Sequence, residues 1–234
     1  MSEVLVAFGG KKGSGKSTVS KYLVSTGNYE ILSFSTKLKE LVSNLFDFDD
    51  ECYNVNKKEV VIPNLGVSPR QLMQKIGTEL FRDGLPKLLP DLKLCKEGSI
   101  WINLTKIKSP KVVVDDVRFI DEKNFITKNG GICIEILRER QWYNPFKMEY
   151  FTHQSERVPE MDIQVLNDGS IKDLTDKVDN IIKEWTDMKS GRKRNNISVW
   201  KDSYRIDKNY VPFYLVSSGV IVISSIIFSM IMDI

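Results

Sequence analysis

Residues 4–18, VLVAFGGKKGSGKST, begin as an apolar run and enter a glycine-rich loop in which Gly10, Gly15, Lys16 and Ser17 fit the spacing G-x-x-x-x-G-K-[ST]. The run predicts a buried strand and the following TVSKYLV a helix, so the glycines fall where a strand turns into a helix. Glycine lets successive backbone N–H groups turn toward one anion, and the helix adds the positive end of its dipole. At this spacing Lys16 is expected to reach the β- and γ-oxygens of a polyphosphate and the Ser17 hydroxyl to hold Mg²⁺. Gly10, Lys12, Gly13, Ser14, Gly15, Lys16, Ser17 and Thr18 are the candidate nucleotide contacts, which makes ATP and Mg²⁺ the expected cofactors.

The 234 residues are 41% apolar and 28% charged, enough for one α/β core of about 180 residues and a tail. A formal charge of +3 demands neither DNA nor RNA, so no nucleic-acid partner is expected. Cys52, Cys95 and Cys133 are too few and too widely spaced for a zinc site or a disulfide framework. With a start that lacks a signal-peptide pattern, they predict a cytoplasmic domain whose cysteines fill small volumes.

Apolar runs at Val4–Phe8, Ile31–Phe34, Lys111–Asp116, Ile132–Leu137 and Ile163–Leu166 predict five strands, with helices between them at Ser17–Ser25, Lys37–Phe46, after Ser68-Pro69, and at Ile100–Ile107 and Ile171–Trp185. Leu72, Ile76 and Leu80 fall on one expected helix face. Helices alternating with short apolar strands give an α/β, three-layer fold around a five-stranded parallel sheet. The stretch 47–66 has no readable period. KVVVDD at 111–116 places Asp115 and Asp116 at a strand end, where a phosphate-loop enzyme holds Mg²⁺ opposite Ser17. Neighbouring strand residues point to opposite faces, so the two acids are expected to split their roles between metal and substrate or the next helix.

Three further blocks narrow the class: Arg70-Gln71-Leu72-Met73-Gln74-Lys75-Ile76-Gly77-Thr78-Glu79 with Arg82, Val114-Asp115-Asp116-Val117-Arg118-Phe119 with Glu122, and His153-Gln154-Ser155-Glu156. Gly130-Gly131 precedes a strand, and Asn167-Asp168-Gly169 precedes the last helix. In this order over residues 1–187, the chain resembles the P-loop nucleoside monophosphate kinase group, and more closely the deoxynucleoside monophosphate kinases of phages and large DNA viruses. The family often has an acid before the histidine of H-x-S-E, where this chain has Thr152.

The resemblance implies ATP-dependent, Mg²⁺-assisted phosphorylation of a deoxynucleoside monophosphate, with a homodimer left open. It also implies a mobile lid around 138–157. Donor and acceptor both arrive as anions, so arginines are expected beside Lys16. Arg118, Arg138 and Arg140 are the catalytic candidates. Phe34, Lys37, Arg70, Gln74, Arg82, Trp101, Asp116 and Arg118 are the acceptor-site candidates, and Ser17, Asp115 and Asp116 the metal candidates. His153, the one histidine of the chain, is read as ordering the lid.

A GTPase switch is excluded by the lack of D-x-x-G after the acidic strand and of N-K-x-D. A dephospho-coenzyme A or phosphomevalonate kinase, or a non-enzymatic nucleotide-binding protein, is the alternative. Residues 188–210 read as a basic polar linker. Val211–Met232 is a run of 22 uncharged residues, about 33 Å as a helix against a hydrocarbon core of about 30 Å. It predicts a C-terminal hydrophobic helix that tethers the kinase domain to a membrane.

Overall fold

The computed structural model describes residues 4–54, 56–96, 98–138, 153–156 and 158–192. Five strands form one parallel sheet: β1 (Val4–Gly9), β2 (Glu30–Leu32), β3 (Lys111–Val114), β4 (Ile132–Leu137) and β5 (Ile163–Leu166), in the order β2-β3-β1-β4-β5. β1, which leads into the glycine-rich loop, is central, with Ala7 opposite Val114 on one side and Cys133 on the other. Parallel neighbours need crossovers, and these are helices on both faces.

The two faces follow the period-two pattern of each strand. Val4, Val6, Phe8, Val113, Ile132, Ile134 and Ile136 point to one side. There they meet α1 (Lys16–Gly27) and α7 (Ile171–Lys189) through Val19, Leu23, Leu174, Val178, Ile181 and Trp185. Leu5, Ala7, Val112, Val114 and Cys133 point to the other. They pack with Phe34, Ile102, Val117 and Ile126, the last from α6 (Ile120–Lys128). Ser170 caps α7, its hydroxyl accepting from the Asp173 N–H while Asp173 accepts from the Ser170 N–H, two satisfied donors at the helix start. α7 runs four residues past the expected Trp185, because Met188 is still buried and Lys189 donates to the Gly130 carbonyl at 2.9 Å.

A third apolar cluster lies off the sheet, beyond the carboxyl ends of its strands. α2 (Thr36–Phe46) supplies Leu38 and Val42, and α5 (Ile100–Asn103) supplies Ile100 and Trp101. They pack with Leu72, Met73, Ile76 and Phe81 from one continuous helical segment. That segment starts as α3 (Pro69–Gln74), becomes a π-helix over Lys75–Gly84, and ends as α4 (Leu85–Leu88). The Ser68–Gln71 capping box and Pro69 at the first position start it as the sequence predicts. Leu80 departs from expectation and is 52% exposed. Hydrogen bonds from i to i+5 add a residue to each turn, so the inward position after Ile76 is Phe81, whose ring lies 5.3 Å from that of Trp101. α5 is also shorter than predicted: the Thr105 hydroxyl bonds back to the Trp101 carbonyl, and the chain leaves helical geometry before Pro110.

One expectation is corrected. No helix among the described residues is long and apolar enough to cross a membrane, so the C-terminal membrane-spanning helix, the membrane partner and the tethered localisation are withdrawn. The longest described α-helix, α7, has 19 residues but buries its apolar face toward the sheet; Lys172, Asp176 and Lys177 lie on the outer side. Residues 193–234, which contain the run 211–232 and most of the basic stretch, lie outside the described residues.

Candidate active site

Between the sheet's carboxyl edge and the third cluster opens a cavity of about 610 Å³, within the size range of small-molecule sites. Its floor is the loop between β1 and α1. Gly10, Gly13 and Gly15 have φ of 138°, 78° and 118°, values that side chains rarely adopt. A Cβ on Gly10 would lie 2.4 Å from the Ile136 carbonyl, and one on Gly15 2.7 Å from the Asn167 amide. That amide donates to the Ser14 carbonyl at 2.8 Å, so the segment before α7 braces the loop from below. Lys16 folds across the loop, donating to the carbonyls of Gly10 (2.6 Å) and Lys11 (3.0 Å). Ser17 and Thr18, in the first turn of α1, face the same space. This cradle of positive-φ glycines and lysine fits a polyphosphate.

β3 stops at Val114, two residues short of the expected strand, so Asp115 and Asp116 lie in the loop after it and are parted by their contacts rather than by strand alternation. Asp116 accepts from the Ser33 hydroxyl and from the backbone N–H groups of Phe34 (3.2 Å) and Ser35 (3.0 Å), which ties β3 to the turn that enters α2. Asp115 sits in the cavity wall. Burial, and then the neighbouring Asp116, push its carboxyl above the usual range, while Lys39 and Lys16 act in the opposite direction. A divalent cation held by Asp115 and Ser17 would relieve that repulsion. Among the described residues no cluster of three or more His, Cys, Asp or Glu could hold a metal alone. The donor set therefore suits an ion that takes its other oxygens from phosphate and water, as Mg²⁺ does.

Further cations border the cavity. Arg118 follows β3, its backbone N–H donating to Glu122 at 2.7 Å and its Nη1 to the Ser155 carbonyl at 2.9 Å. Ser155 is placed by His153, whose Nδ1 accepts the Ser155 N–H, so the single histidine supports an arginine. Arg70, on the first turn of α3, pairs with Glu59 at 3.2 Å; Glu59 also holds Lys12 at 2.9 Å. Arg138, at the end of β4, borders the cavity.

Arg82 lines the cavity but is spent on architecture. Its Nη1 reaches both Asp121 oxygens at 2.7 Å, its Nη2 reaches Glu122 at 2.6 Å, and its guanidinium stacks 3.6 Å above the Phe119 ring. Glu122 accepts the Arg118 and Phe119 N–H groups and is almost wholly buried. Burial, only partly offset by Arg82, pushes its carboxyl up to about 8.

Most sequence-predicted positions thus converge on one cavity: Gly10, Lys12, Gly13, Gly15, Lys16, Ser17, Thr18, Phe34, Arg70, Gln74, Arg82, Trp101, Asp115, Asp116, Arg118 and Arg138. Ser14 lies beneath the loop, its buried hydroxyl without a hydrogen-bond partner among the described residues. Lys37 points away and pairs with Glu40 at 2.6 Å; Lys39, two residues on, borders the cavity instead. Trp101 is held by its Nε1–H to the Gly77 carbonyl at 2.8 Å. Arg140 and most of the expected lid lie outside the described residues. Sequence reading missed Lys39, Tyr53, Lys58 and Met73. Lys39 and Met73 could have been found from helical phase, whereas Tyr53 and Lys58 lie in the stretch without a period.

A parallel sheet of this order, with a phosphate cradle after its central strand and an acid after the neighbouring strand, defines a P-loop nucleotide-binding fold, the class that includes the small-molecule kinases. No protein-family profile matches the chain. A protein of Acanthamoeba polyphaga mimivirus described as "Putative deoxynucleotide monophosphate kinase" is 31% identical over 187 residues, covering 75% of this chain and 94% of that protein. The chain belongs to that family of viral deoxynucleotide monophosphate kinases. Among solved structures, TT1252 from Thermus thermophilus is similar at 16% identity over 79% of this chain and 98% of that one, with a TM-score of 0.40. Shikimate kinase from Aquifex aeolicus vf5 is similar at 18% identity over 77% and 96%, also with a TM-score of 0.40.

Proposed function

We propose that the protein transfers the γ-phosphoryl group of ATP to a deoxynucleoside monophosphate. The observation that carries this reading is one cavity lined by two sets of cations: Lys12 and Lys16 of the glycine loop, and Arg70 and Arg118 from α3 and from the loop after β3. A hydrolase of one nucleotide needs only the first.

In this reading the N–H groups of the loop and Lys16 hold the β- and γ-phosphates, and Ser17 and Asp115 would hold Mg²⁺. The ion, when bound, neutralises charge on the phosphate oxygens. Arg70 and Arg118 hold the acceptor phosphate in line. An acceptor oxygen forms a bond to the γ-phosphorus as the bond from that phosphorus to the β-phosphate oxygen breaks, giving ADP and a deoxynucleoside diphosphate. The acceptor is already an oxyanion, so no general base is needed, in keeping with a histidine that braces Arg118. Phe34, Gln74 and Trp101 border the space for the base.

The test is a panel of common deoxynucleoside and nucleoside monophosphates, with dephospho-coenzyme A and phosphomevalonate added, assayed with ATP and Mg²⁺ on the full chain. Diphosphate formed from at least one deoxynucleoside monophosphate is the expected result. Absence of any such product above the enzyme-free background overturns the reading.

A further inference from the structure

The loop before α3 puts a lysine where a kinase site is short of neither charge nor order. Lys58 borders the cavity together with Lys12, Arg70 and Arg118, residues drawn from three other parts of the chain. Its position is fixed from both sides: the Lys58 N–H donates to the Asn54 carbonyl at 3.0 Å, and the Lys58 carbonyl accepts the Arg70 N–H at 2.9 Å. The next residue, Glu59, fastens this loop to the glycine loop through Lys12 and to α3 through Arg70. The Ile62–Val67 bridge closes the loop behind it.

At Lys58 the repulsion from these three cations is offset only in part by Glu59. Burial, then Arg70 and Lys12, and also Arg118, depress the Lys58 ammonium below the usual lysine range. A lysine and an arginine tied together by a backbone bond at the edge of a cavity that two more cations border form a pattern that a doubly charged anion completes. The donor phosphates already have the glycine loop, Lys16 and Ser17. Lys58 and Arg70 border the same cavity from a segment of the chain outside that loop, which favours the acceptor.

We infer that Lys58 binds the phosphate dianion of the acceptor, so that the loop over residues 54–67 contributes a substrate-binding residue to the kinase site. This rests on the phosphotransfer reading for its biological meaning. The chemical claim is narrower: a phosphomonoester contact at Lys58.

The experiment compares full-length wild type with Lys58→Ala, Lys58→Arg and, as a neighbouring control, Lys57→Ala. Lys57 pairs with Glu51 away from the cavity. With saturating ATP, Lys58→Ala should raise KM for the preferred monophosphate at least about tenfold, the usual effect of losing one charged hydrogen bond. KM for ATP should stay within about twofold, Lys58→Arg should recover part of the loss, and Lys57→Ala should match wild type. The deoxynucleoside without its phosphate should inhibit wild type and Lys58→Ala alike. An unchanged KM for the monophosphate overturns the inference, as does a matching loss for the bare nucleoside or a shift confined to ATP.

Titration calorimetry with thymidine monophosphate and with inorganic phosphate, in the presence of a non-hydrolysable ATP analogue, separates this from the activity itself. If the wild type turns over nothing, the functional reading fails, yet a Lys58-dependent phosphate affinity still supports the contact. Equal affinities in wild type and Lys58→Ala, or no binding by the wild type, overturn it.

Discussion

Asp115 and Asp116 are chemically identical and adjacent, and only their surroundings separate them. Asp116 spends its carboxylate on three donors at the start of α2, whereas Asp115 faces Lys39 and Lys16 across the cavity wall. Opposite phenotypes follow. Asp115→Asn should weaken the Mg²⁺ dependence of turnover, with kcat down about a hundredfold and melting unchanged, because it removes a charge that acts on the metal and the transferring phosphoryl group. Asp116→Asn loses charge from a cluster of hydrogen bonds to a carboxylate and should destabilise the fold by about 1.5–3 kcal/mol. Mg²⁺ titrations of activity and melting curves on both variants check the assignment; equal effects on both readouts would refute it. That the pair matters was legible in KVVVDD. Which acid does what was not, because the answer depends on the Ser33–Ser35 turn, 81 to 83 residues earlier in the chain.

At the scale of elements, the legible parts were those with a period or a motif. Five apolar strands, the glycine loop, the capped start at Ser68 and the amphipathic α7 all announce themselves locally. The segment 54–67 does not: turns and one isolated bridge have no repeating pattern, so Lys58 and Glu59 were invisible until the chain was folded. The π-helix was misread for a related reason, since Leu72 and Ile76 set an α phase that Phe81 breaks. Its link to α6 gives a pH prediction. Arg82 is already neutralised by two bonds to Asp121, which leaves burial to dominate Glu122. With a folded value near 8 against an ordinary 4.5, Glu122 keeps a proton in the folded chain that the unfolded chain gives up. Its contribution is therefore fully present below about pH 4.5 and is lost as pH rises through about 8. Glu122→Gln cannot ionise and should flatten this slope. Across that window wild-type Tm should fall by roughly 10 °C or more relative to the variant, since a displacement from 4.5 to about 8 corresponds to about 5 kcal/mol. Parallel Tm profiles would show that Glu122 is ionised throughout.

For the molecule as a whole, the cavity joins two parts with different cores: the sheet with its flanking helices, and the third cluster. Arg82 and the Gln154–Asp83 bond hold the π-helix against the parts that follow β3 and precede β5. A ligand that touches both walls adds its binding energy to the stability of the entire fold. At a hundred times its dissociation constant an ATP analogue with Mg²⁺ should contribute about 2.7 kcal/mol, visible as a rise in Tm. Lys16→Ala should lose most of that rise while melting close to normally without ligand, because the Lys16 ammonium donates to the Gly10 and Lys11 carbonyls of its own loop, not to the core. A variant that keeps the full rise would remove Lys16 from nucleotide binding.

The π-helix has one more consequence, for the comparison of sequences. A stretch bonded from i to i+5 holds more residues per turn than an α-helix covering the same path, so Lys75–Gly84 is longer in sequence than in space. A relative whose helix is α throughout must fall short of this chain inside that stretch. An alignment that runs across it without a gap would pair the residue opposite Phe81 with a neighbour that faces solvent, and would place the partner of Arg82 on the wrong side of the helix.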